Sequence, residues 1–179
     1  SSSGACYNYG NGVTATATDR ALGFLSSGSY TSPHSILYAF TNSTGQTITS
    51  LTINWNYEKY RSGGRAFDWT FFHGNTTEAA TSFAAGNQSY ALDASNSVVY
   101  TPPASLSKSI TISGLNIANG TTYYLRWTYT GNGGSTNGQG LGIDDFNIAA
   151  NRVSCATPTR CSNPAPRDAS SARDATASA

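Results

Sequence analysis

Alternation of apolar and polar residues with a period of two is the feature that most constrains the fold of this chain. A period of two places the apolar residues of a strand on one face. It is clearest in residues 47–57, where Leu51, Ile53, Trp55 and Tyr57 share one face. No segment before residue 150 keeps a helical period, and residues 78–85 offer one or two helical turns at most. The pattern therefore predicts an all-β protein.

Similar short runs recur along the chain, separated by turns such as NSTG at residues 42–45 and SGG at 62–64. Short strands with such breaks predict an antiparallel two-sheet β-sandwich of the jelly-roll kind. The predicted strands are residues 35–41, 47–57, 66–72, 97–101, 109–115, 122–130 and 141–148. The predicted core is formed by Leu37, Ile53, Trp55, Phe67, Trp69, Phe71, Ile110, Ile112, Leu125, Trp127, Ile143 and Phe146.

The composition changes near residue 150. Residues 151–179 contain few apolar side chains and repeat Arg-Asp-Ala at positions 167 and 173. Such a segment cannot bury enough apolar surface to fold alone. We therefore predict a sandwich domain at residues 1–150 and an extended Ser, Thr, Pro and Ala-rich tail at 151–179. The tail is expected to lie on its own domain or on a neighbouring copy.

The charge of the chain argues against two classes of partner. A net charge of +1 with 11% charged residues provides no basic surface for nucleic acid or for a membrane. No stretch approaches the roughly 20 apolar residues of a membrane span. The 25 Ser and 23 Thr residues are typical of extracellular β-proteins, and the Ser-rich start predicts a removed signal peptide. We expect an extracellular or cell-surface location, with no nucleic acid partner and no membrane insertion.

Three cysteines lie near the two ends of the chain, at Cys6, Cys155 and Cys161. All three are disulfide candidates: in an oxidising compartment one pair can close, either Cys155 with Cys161 or Cys6 with the C-terminal region, and the remaining thiol would be available to bridge subunits. A free, buried Cys6 is the alternative. A zinc site is disfavoured because the cysteines lack CxxC spacing and His34 and His73 are distant in sequence.

The apolar pattern shifts parity within GLGIDDFNI at residues 140–148, between Ile143 and Phe146. A β-bulge produces such a shift. If the strand is instead regular, Asp144 or Asp145 shares a face with the apolar residues. Either arrangement places a carboxylate near the core, where it needs an arginine, a set of hydrogen-bond donors or a metal.

Four motifs occur in order: DRALGFLSSG (19–28), EKYRSG (58–63), LRW (125–127) and GLGIDDF (140–146). Together they resemble a family of secreted bacterial β-sandwich domains found in large surface proteins, and the resemblance covers about residues 13–150. It implies a non-catalytic extracellular module used in adhesion, matrix or surface architecture, with no defined ligand. The chain departs from the pattern at Gly142, where the family has alanine.

The acidic motif residues are interpreted as members of internal ion pairs. Asp144 and Asp145 are expected to face Arg20 or Arg126. Glu58 and Arg61, three residues apart, are expected to form a second pair.

A calcium site at Asp144 and Asp145 is the alternative interpretation. It is weaker because Ca²⁺ takes six to eight oxygen ligands and the neighbouring candidates, Asn132, Asn137 and Gln139, carry amides. We therefore expect no metal and no cofactor.

Tyrosines could provide the aromatic faces of a sugar-binding site. The candidates are Tyr57, Tyr60, Tyr123 and Tyr129, with Tyr7 as a further one. The alternative is that these residues fill the edges of the sandwich. Glycans are therefore a possible partner.

The sequence offers little support for an enzymatic function. Glycoside hydrolysis needs two facing carboxylates, and no GxSxG nucleophile motif is present. Asn-x-Ser/Thr sequons occur at Asn42, Asn75, Asn87 and Asn119, which makes these residues candidates for glycosylation.

The leading hypothesis is a non-catalytic extracellular structural subunit that self-assembles into a filament, sheath or adhesive layer. Its tail would contact other copies by adding a strand to an open sheet edge or through a cysteine bridge. The second hypothesis is a carbohydrate-binding module of a secreted protein.

Overall fold

The structure is a computed structural model that describes residues 3–13, 15–132 and 138–152. These residues form two antiparallel sheets and a short 3₁₀ turn at Ala84–Gly86. The strands are β1 (Ala5–Gly10), β2 (Arg20–Leu25), β3 (His34–Thr41), β4 (Ile48–Arg61), β5 (Ala66–Gly74), β6 (Thr81–Ser82), β7 (Gln88–Tyr90), β8 (Val99–Ile117), β9 (Thr122–Asn132) and β10 (Gly140–Arg152).

The first sheet, sheet A, has the order β1-β2-β10-β4-β8, and the second, sheet B, has the order β3-β9-β5-β6, with β7 also paired to β5. The chain crosses from one sheet to the other between β2 and β3, β3 and β4, β4 and β5, β7 and β8, β8 and β9, and β9 and β10. These crossings give the predicted jelly-roll-like sandwich, and the predicted fold class is confirmed. β10 continues to Arg152, two residues past the predicted domain boundary.

The core between the sheets is dominated by aromatic rings. The Trp55 ring lies 5.3 Å from that of Phe71 and 5.6 Å from that of Trp127, measured between ring centroids. Of the twelve predicted core residues, ten are buried. Phe146 is partly buried against the core, whereas Leu37 is 46% exposed.

The prediction for Leu37 was wrong because β3 is apolar on both faces. Ile36, Tyr38 and Phe40 pack against the core, so the intervening Leu37 points outward. Two aromatic rings bury more apolar area than one leucine, and they decide which face turns inward.

The two strands predicted at residues 97–101 and 109–115 are parts of one continuous strand, β8. Pro102 and Pro103 suggest a break in the sequence. β8 is the last strand of sheet A, and an edge strand tolerates proline because its outer N–H groups need no ladder partner. Residues 78–85 contain β6 and the start of the 3₁₀ turn rather than an α-helical turn.

The parity shift in β10 is a β-bulge. Asp144 pairs with Asn56 and Asn147 pairs with Asn54, so Asp145 and Phe146 together oppose a single residue of β4. Asp145 has a φ of 51°, in the left-handed region. The bulge turns Phe146 toward the core, and the carboxylates of Asp144 and Asp145 lie outside the core.

Candidate functional site

One edge of sheet B is an unprotected strand. β3 pairs with β9 along all eight residues without a register shift, and no described strand pairs with its other side. The sequence HSILYAFT contains no proline, Lys, Arg, Asp or Glu. Unpaired N–H and C=O groups along a regular, apolar edge form a template for another strand.

The edge of sheet A at β8 is different. Pro102 and Pro103 remove two backbone donors from it, Lys108 adds a charge, and its pairing with β4 has register shifts. These are devices that discourage edge-to-edge pairing. Of these two edges, β3 is therefore the better acceptor of a strand.

An apolar groove runs beside β3. In sheet A, β2 pairs only with residues 141–143 of β10, so the part of β10 after the bulge has β4 as its one described neighbour. A cavity of about 160 Å³ opens between this part of β10 and β3. Its apolar lining is Tyr38, Phe40, Ile48, Leu51, Ile148 and Ala150. We call β3 together with this groove the open edge.

The outer surface of sheet A carries a second feature, a stack of three tyrosine rings that we call the tyrosine face. The centroids of Tyr7 and Tyr9 lie 5.1 Å apart, and those of Tyr9 and Tyr60 lie 4.6 Å apart with an angle of 8° between the planes. The Tyr9 hydroxyl donates to the Phe24 carbonyl oxygen at 3.1 Å. The Tyr60 hydroxyl donates to the Glu58 carboxylate.

Small residues form the floor beneath these rings. A Cβ at Gly142 would lie 2.9 Å from the Ala21 Cβ and 3.4 Å from Cδ2 of Tyr9. A Cβ at Gly23 would lie 2.0 Å from the backbone oxygen of Leu141. The small residues of the DRALG and GLGIDDF motifs are thus explained by close strand approach and by the Tyr9 ring.

Acidic residues gather beside Tyr60. Burial raises the pKa of the Glu58 carboxyl, the hydrogen bond from Tyr60 lowers it, and Asp144 and Asp19 raise it again. Burial also raises the pKa of Asp144; the Asp145 N–H, which donates to Asp144 Oδ1 at 2.7 Å, lowers it, and Asp19 raises it. Both carboxyls therefore favour the protonated form more than an exposed acid does.

The structure does not bring Asp144 to Arg126. Arg126 lies on the outer face of sheet B, where its guanidinium is 4.2 Å from the Phe72 ring centroid and donates to the Glu78 carbonyl oxygen at 2.8 Å. Asp144 is in sheet A, on the other side of the core. Arg20 donates to the Ala17 carbonyl oxygen at 3.1 Å.

The expected pairing of Glu58 with Arg61 stays a prediction. Both residues lie in β4, and a register shift between Lys59 and Arg61 marks a bulge at this end of the strand. Arg61 donates to the Ser97 hydroxyl at 2.6 Å. Sequence reasoning missed the ion pair between Lys59 Nζ and Asp93 Oδ1, 2.7 Å apart, because it joins β4 to a loop 34 residues away.

Asp145 is exposed and accepts a hydrogen bond from the Asn56 amide at 2.6 Å. Within residues 3–13, 15–132 and 138–152, no group of three or more His, Cys, Asp or Glu side chains is arranged to hold a metal ion. The calcium alternative therefore has no acidic ligand set in this part of the chain.

The four tyrosines proposed to contact sugar are all buried. Tyr57 and Tyr129 lie in the core, and their hydroxyls donate to the backbone oxygens of Gly86 and Gln139, both at 2.7 Å. Tyr123 is 7% exposed and its hydroxyl is 2.6 Å from His73 Nδ1. Tyr60 is 5% exposed, within the tyrosine face. Hydroxyls that find backbone partners allow these rings to enter the core.

The sequons differ in accessibility. Asn42 is 1% exposed, and its amide donates to the carbonyl oxygens of Gln46 and Ile117 at 2.8 and 2.7 Å. Asn87 is partly buried and accepts a bond from a backbone N–H of β5. The exposed sequons are Asn75 and Asn119.

Cys6 is exposed on β1 and has no disulfide partner among the described residues, so the alternative of a buried Cys6 was wrong. Cys155, Cys161 and the predicted tail from residue 153 onward lie outside the described residues. No described helix has the length and apolar character needed to cross a bilayer.

No known family model matches this chain, and no curated protein does. Among solved structures, that of the infectious bursal disease virus Gx strain has a TM-score of 0.41 and 16% identity, covering 88% of this chain and 35% of that one. The infectious bursal disease virus VP2 subviral particle has a TM-score of 0.39 and 17% identity, over 84% and 33% of the two chains. This chain thus spans about a third of those viral chains.

A family 16 carbohydrate binding module has a TM-score of 0.30 and 13% identity, over 76% of this chain and 82% of that one. At these identities and TM-scores, the similarity carries no argument about function.

Proposed function

We propose that this protein is a non-catalytic extracellular structural subunit that associates with other copies by strand addition at the open edge. The observation that carries the proposal is β3, a regular, uncharged edge strand of eight residues with no described partner on its outer side. Main-chain hydrogen bonds along such an edge provide affinity, and alternate side chains provide specificity.

The groove beside β3 adds apolar area to this contact. Tyr38 and Phe40 on one side and Ile148 on the other line a surface that an incoming strand would cover. Burial of apolar surface contributes roughly 25 cal/mol per Å². The strand and the groove therefore form one contact surface.

The tail of a neighbouring copy is the proposed occupant. It follows directly from β10, and residues 153–179 are long enough to pair along all eight residues of β3. A tail that leaves one copy and enters the next makes a head-to-tail contact, which gives an open polymer when the rotation does not close. This geometry fits a filament, sheath or adhesive layer.

The test is the mass of the full chain in solution, measured by light scattering after size exclusion over a range of concentrations. Leu37→Lys places a charge on β3, and Leu106→Lys makes the same change at a residue 40% exposed on the protected edge strand β8. We expect open-ended assembly in the wild type and in Leu106→Lys, and smaller species in Leu37→Lys. A wild-type chain that is monomeric at every concentration would refute the proposal.

A chain ending at Arg152 tests the occupant separately. This truncation keeps all ten described strands. Loss of assembly on truncation supports the tail as the added strand. Assembly that survives truncation but is lost in Leu37→Lys would retain the open edge as the contact and reject the tail.

A further inference from the structure

A cavity of about 190 Å³ lies at one end of the tyrosine face. Aromatic side chains from three strands line it: Tyr7 and Tyr9 of β1, Tyr60 of β4 and Tyr100 of β8. Tyr7 and Tyr100 are partly exposed, so their rings are accessible to a ligand. Its volume corresponds to about six water molecules in the liquid, which is room for one small ring.

The aromatic wall is fixed before any ligand arrives. The hydroxyl of Tyr7 donates to the Ser3 carbonyl oxygen at 2.5 Å, and those of Tyr9 and Tyr60 are also hydrogen-bonded. Stacking between neighbouring rings restrains them further. A wall that is already ordered loses little conformational entropy on binding.

The chemistry of the lining favours a neutral ligand. None of the residues that line the cavity is charged, and Asn8 and Thr101 supply polar side chains at exposed positions. Lys59 Nζ already lies 5.7 Å from the Tyr100 ring centroid, which disfavours a second cation there. Aromatic faces beside amide and hydroxyl groups suit a ring with apolar C–H faces and hydroxyls at its edge.

We propose that this cavity binds a sugar ring of a neutral polysaccharide. The site is separate from the open edge, so it does not depend on the assembly proposed above. It would allow an assembled subunit to attach to a glycan matrix. Of the tyrosines singled out in the sequence, only Tyr7 and Tyr60 belong to this site.

The experiment is affinity electrophoresis of the full chain in native gels containing β-glucan, xylan or galactomannan. The variants Tyr7→Ala and Tyr100→Ala each remove one partly exposed ring. Tyr124→Ala is the matched control, because Tyr124 is a partly exposed tyrosine on β9 that does not line the cavity. A melting curve for each variant establishes that it is folded.

We expect at least one neutral polysaccharide to retard the wild type and Tyr124→Ala equally. Tyr7→Ala and Tyr100→Ala should each weaken binding on the order of tenfold, the scale of one aromatic contact. Binding should persist in about 1 M sodium chloride, where the Debye length is about 3 Å. Leu37→Lys should be retarded like the wild type, which separates this site from assembly.

Three results would overturn the proposal. They are no retardation by any of the three polysaccharides, equal retardation of a folded Tyr100→Ala variant, and loss of binding in high salt.

Discussion

The rings of Tyr9 and Tyr60 are stacked 4.6 Å apart, although their strands, β1 and β4, are separated by β2 and β10. The Tyr9 side chain reaches across two strands because the residues beneath it, Ala21 and Gly142, are small. Stacked aromatic pairs contribute about 0.5–1.5 kcal/mol beyond the area that they bury. This pair connects the edge strand β1 to β4, the fourth of the five strands of sheet A.

The close approach of β2 and β10 predicts a strong effect at Gly23. Gly23→Ala places a Cβ against the backbone of β10, which cannot move aside without breaking the ladder. We expect a loss of about 3 kcal/mol in the free energy of unfolding, measured in urea. Gly28→Ala is the control, since nothing lies within 4 Å of its added Cβ, and it should be nearly neutral. Equal stability of the two variants would contradict the observed strand spacing.

Removal of the Tyr9 ring should destabilise the sheet. Tyr9 is 7% exposed, so Tyr9→Ala is expected to cost about 3 kcal/mol through lost packing. Tyr9→Phe keeps the stack and loses the hydrogen bond to the Phe24 carbonyl, at a cost of about 1 kcal/mol. Thermal and urea unfolding measure both effects, and a larger loss in Tyr9→Phe than in Tyr9→Ala would be inconsistent with a packing role.

The pKa of Asp144 predicts a pH dependence of stability. Because the folded state raises this pKa above its ordinary value of 3.8, the contribution to stability is complete below that value and is lost as pH rises through the folded pKa. Asp144→Asn removes the charge and keeps an acceptor for the Asp145 N–H. The variant should therefore unfold at a higher temperature than the wild type at pH 7, and the difference should vanish in acid.

The Asp144→Asn experiment also tests whether Asp144 is an unpaired carboxylate or a member of the ion pair that the sequence suggests. If a cation or an arginine neutralises Asp144, the Asn variant will be less stable at pH 7. Repeating the melt with added calcium distinguishes those two sources of positive charge.

The ion pair between Lys59 and Asp93 should contribute measurably to stability. Asp93 accepts hydrogen bonds from Lys59 Nζ and from the Gly63 N–H, and Asp93→Ala leaves both donors without this acceptor. We expect a loss of about 2 kcal/mol in the free energy of unfolding. This is less than the cost of removing one partner from a fully buried ion pair, because the Lys59–Asp93 pair is partly exposed. Asp68→Ala, which breaks an exposed contact with Asn132, should change stability by less than about 0.5 kcal/mol.

Accessibility predicts which sequons carry glycans on the folded protein. A glycan on the Asn42 amide would disrupt its bonds to Gln46 and Ile117, so we expect that site to be empty. Asn75 and Asn119 are exposed and should be the occupied sites. Peptide mapping by mass spectrometry of protein secreted from eukaryotic cells tests this, and a glycan on Asn42 would contradict the buried position of that side chain.

The sequence predicted the parts of the fold that depend on local pattern. The alternation through Trp55 and Tyr57 indicated a strand with one buried face, and the parity shift around Asp144 indicated the bulge that the structure contains. The alternation did not predict which face of β3 is buried, because apolar residues occupy both faces of that strand. The sequence also predicted two strands where the structure has the single strand β8. Pro102 suggested a break, and local propensity does not reveal that a strand lies at a sheet edge, where proline is tolerated.

The candidate sites were harder to predict. Tyr7 and Tyr9 alternate in YNYG, which is a strand signal, but nothing nearby indicates that Tyr9 reaches Tyr60, 51 positions later in the chain. The pairing of Asp144 with Arg126 failed for the same reason, since the choice of partner depends on strand order.

By itself, the sequence determined an all-β chain, an aromatic core and the position of the bulge, because a period of two is a property of each strand alone. The tertiary structure decided which edge stays open and which residues share the outer face of sheet A. It did so because strand order is set by contacts between distant segments, which no local periodicity encodes.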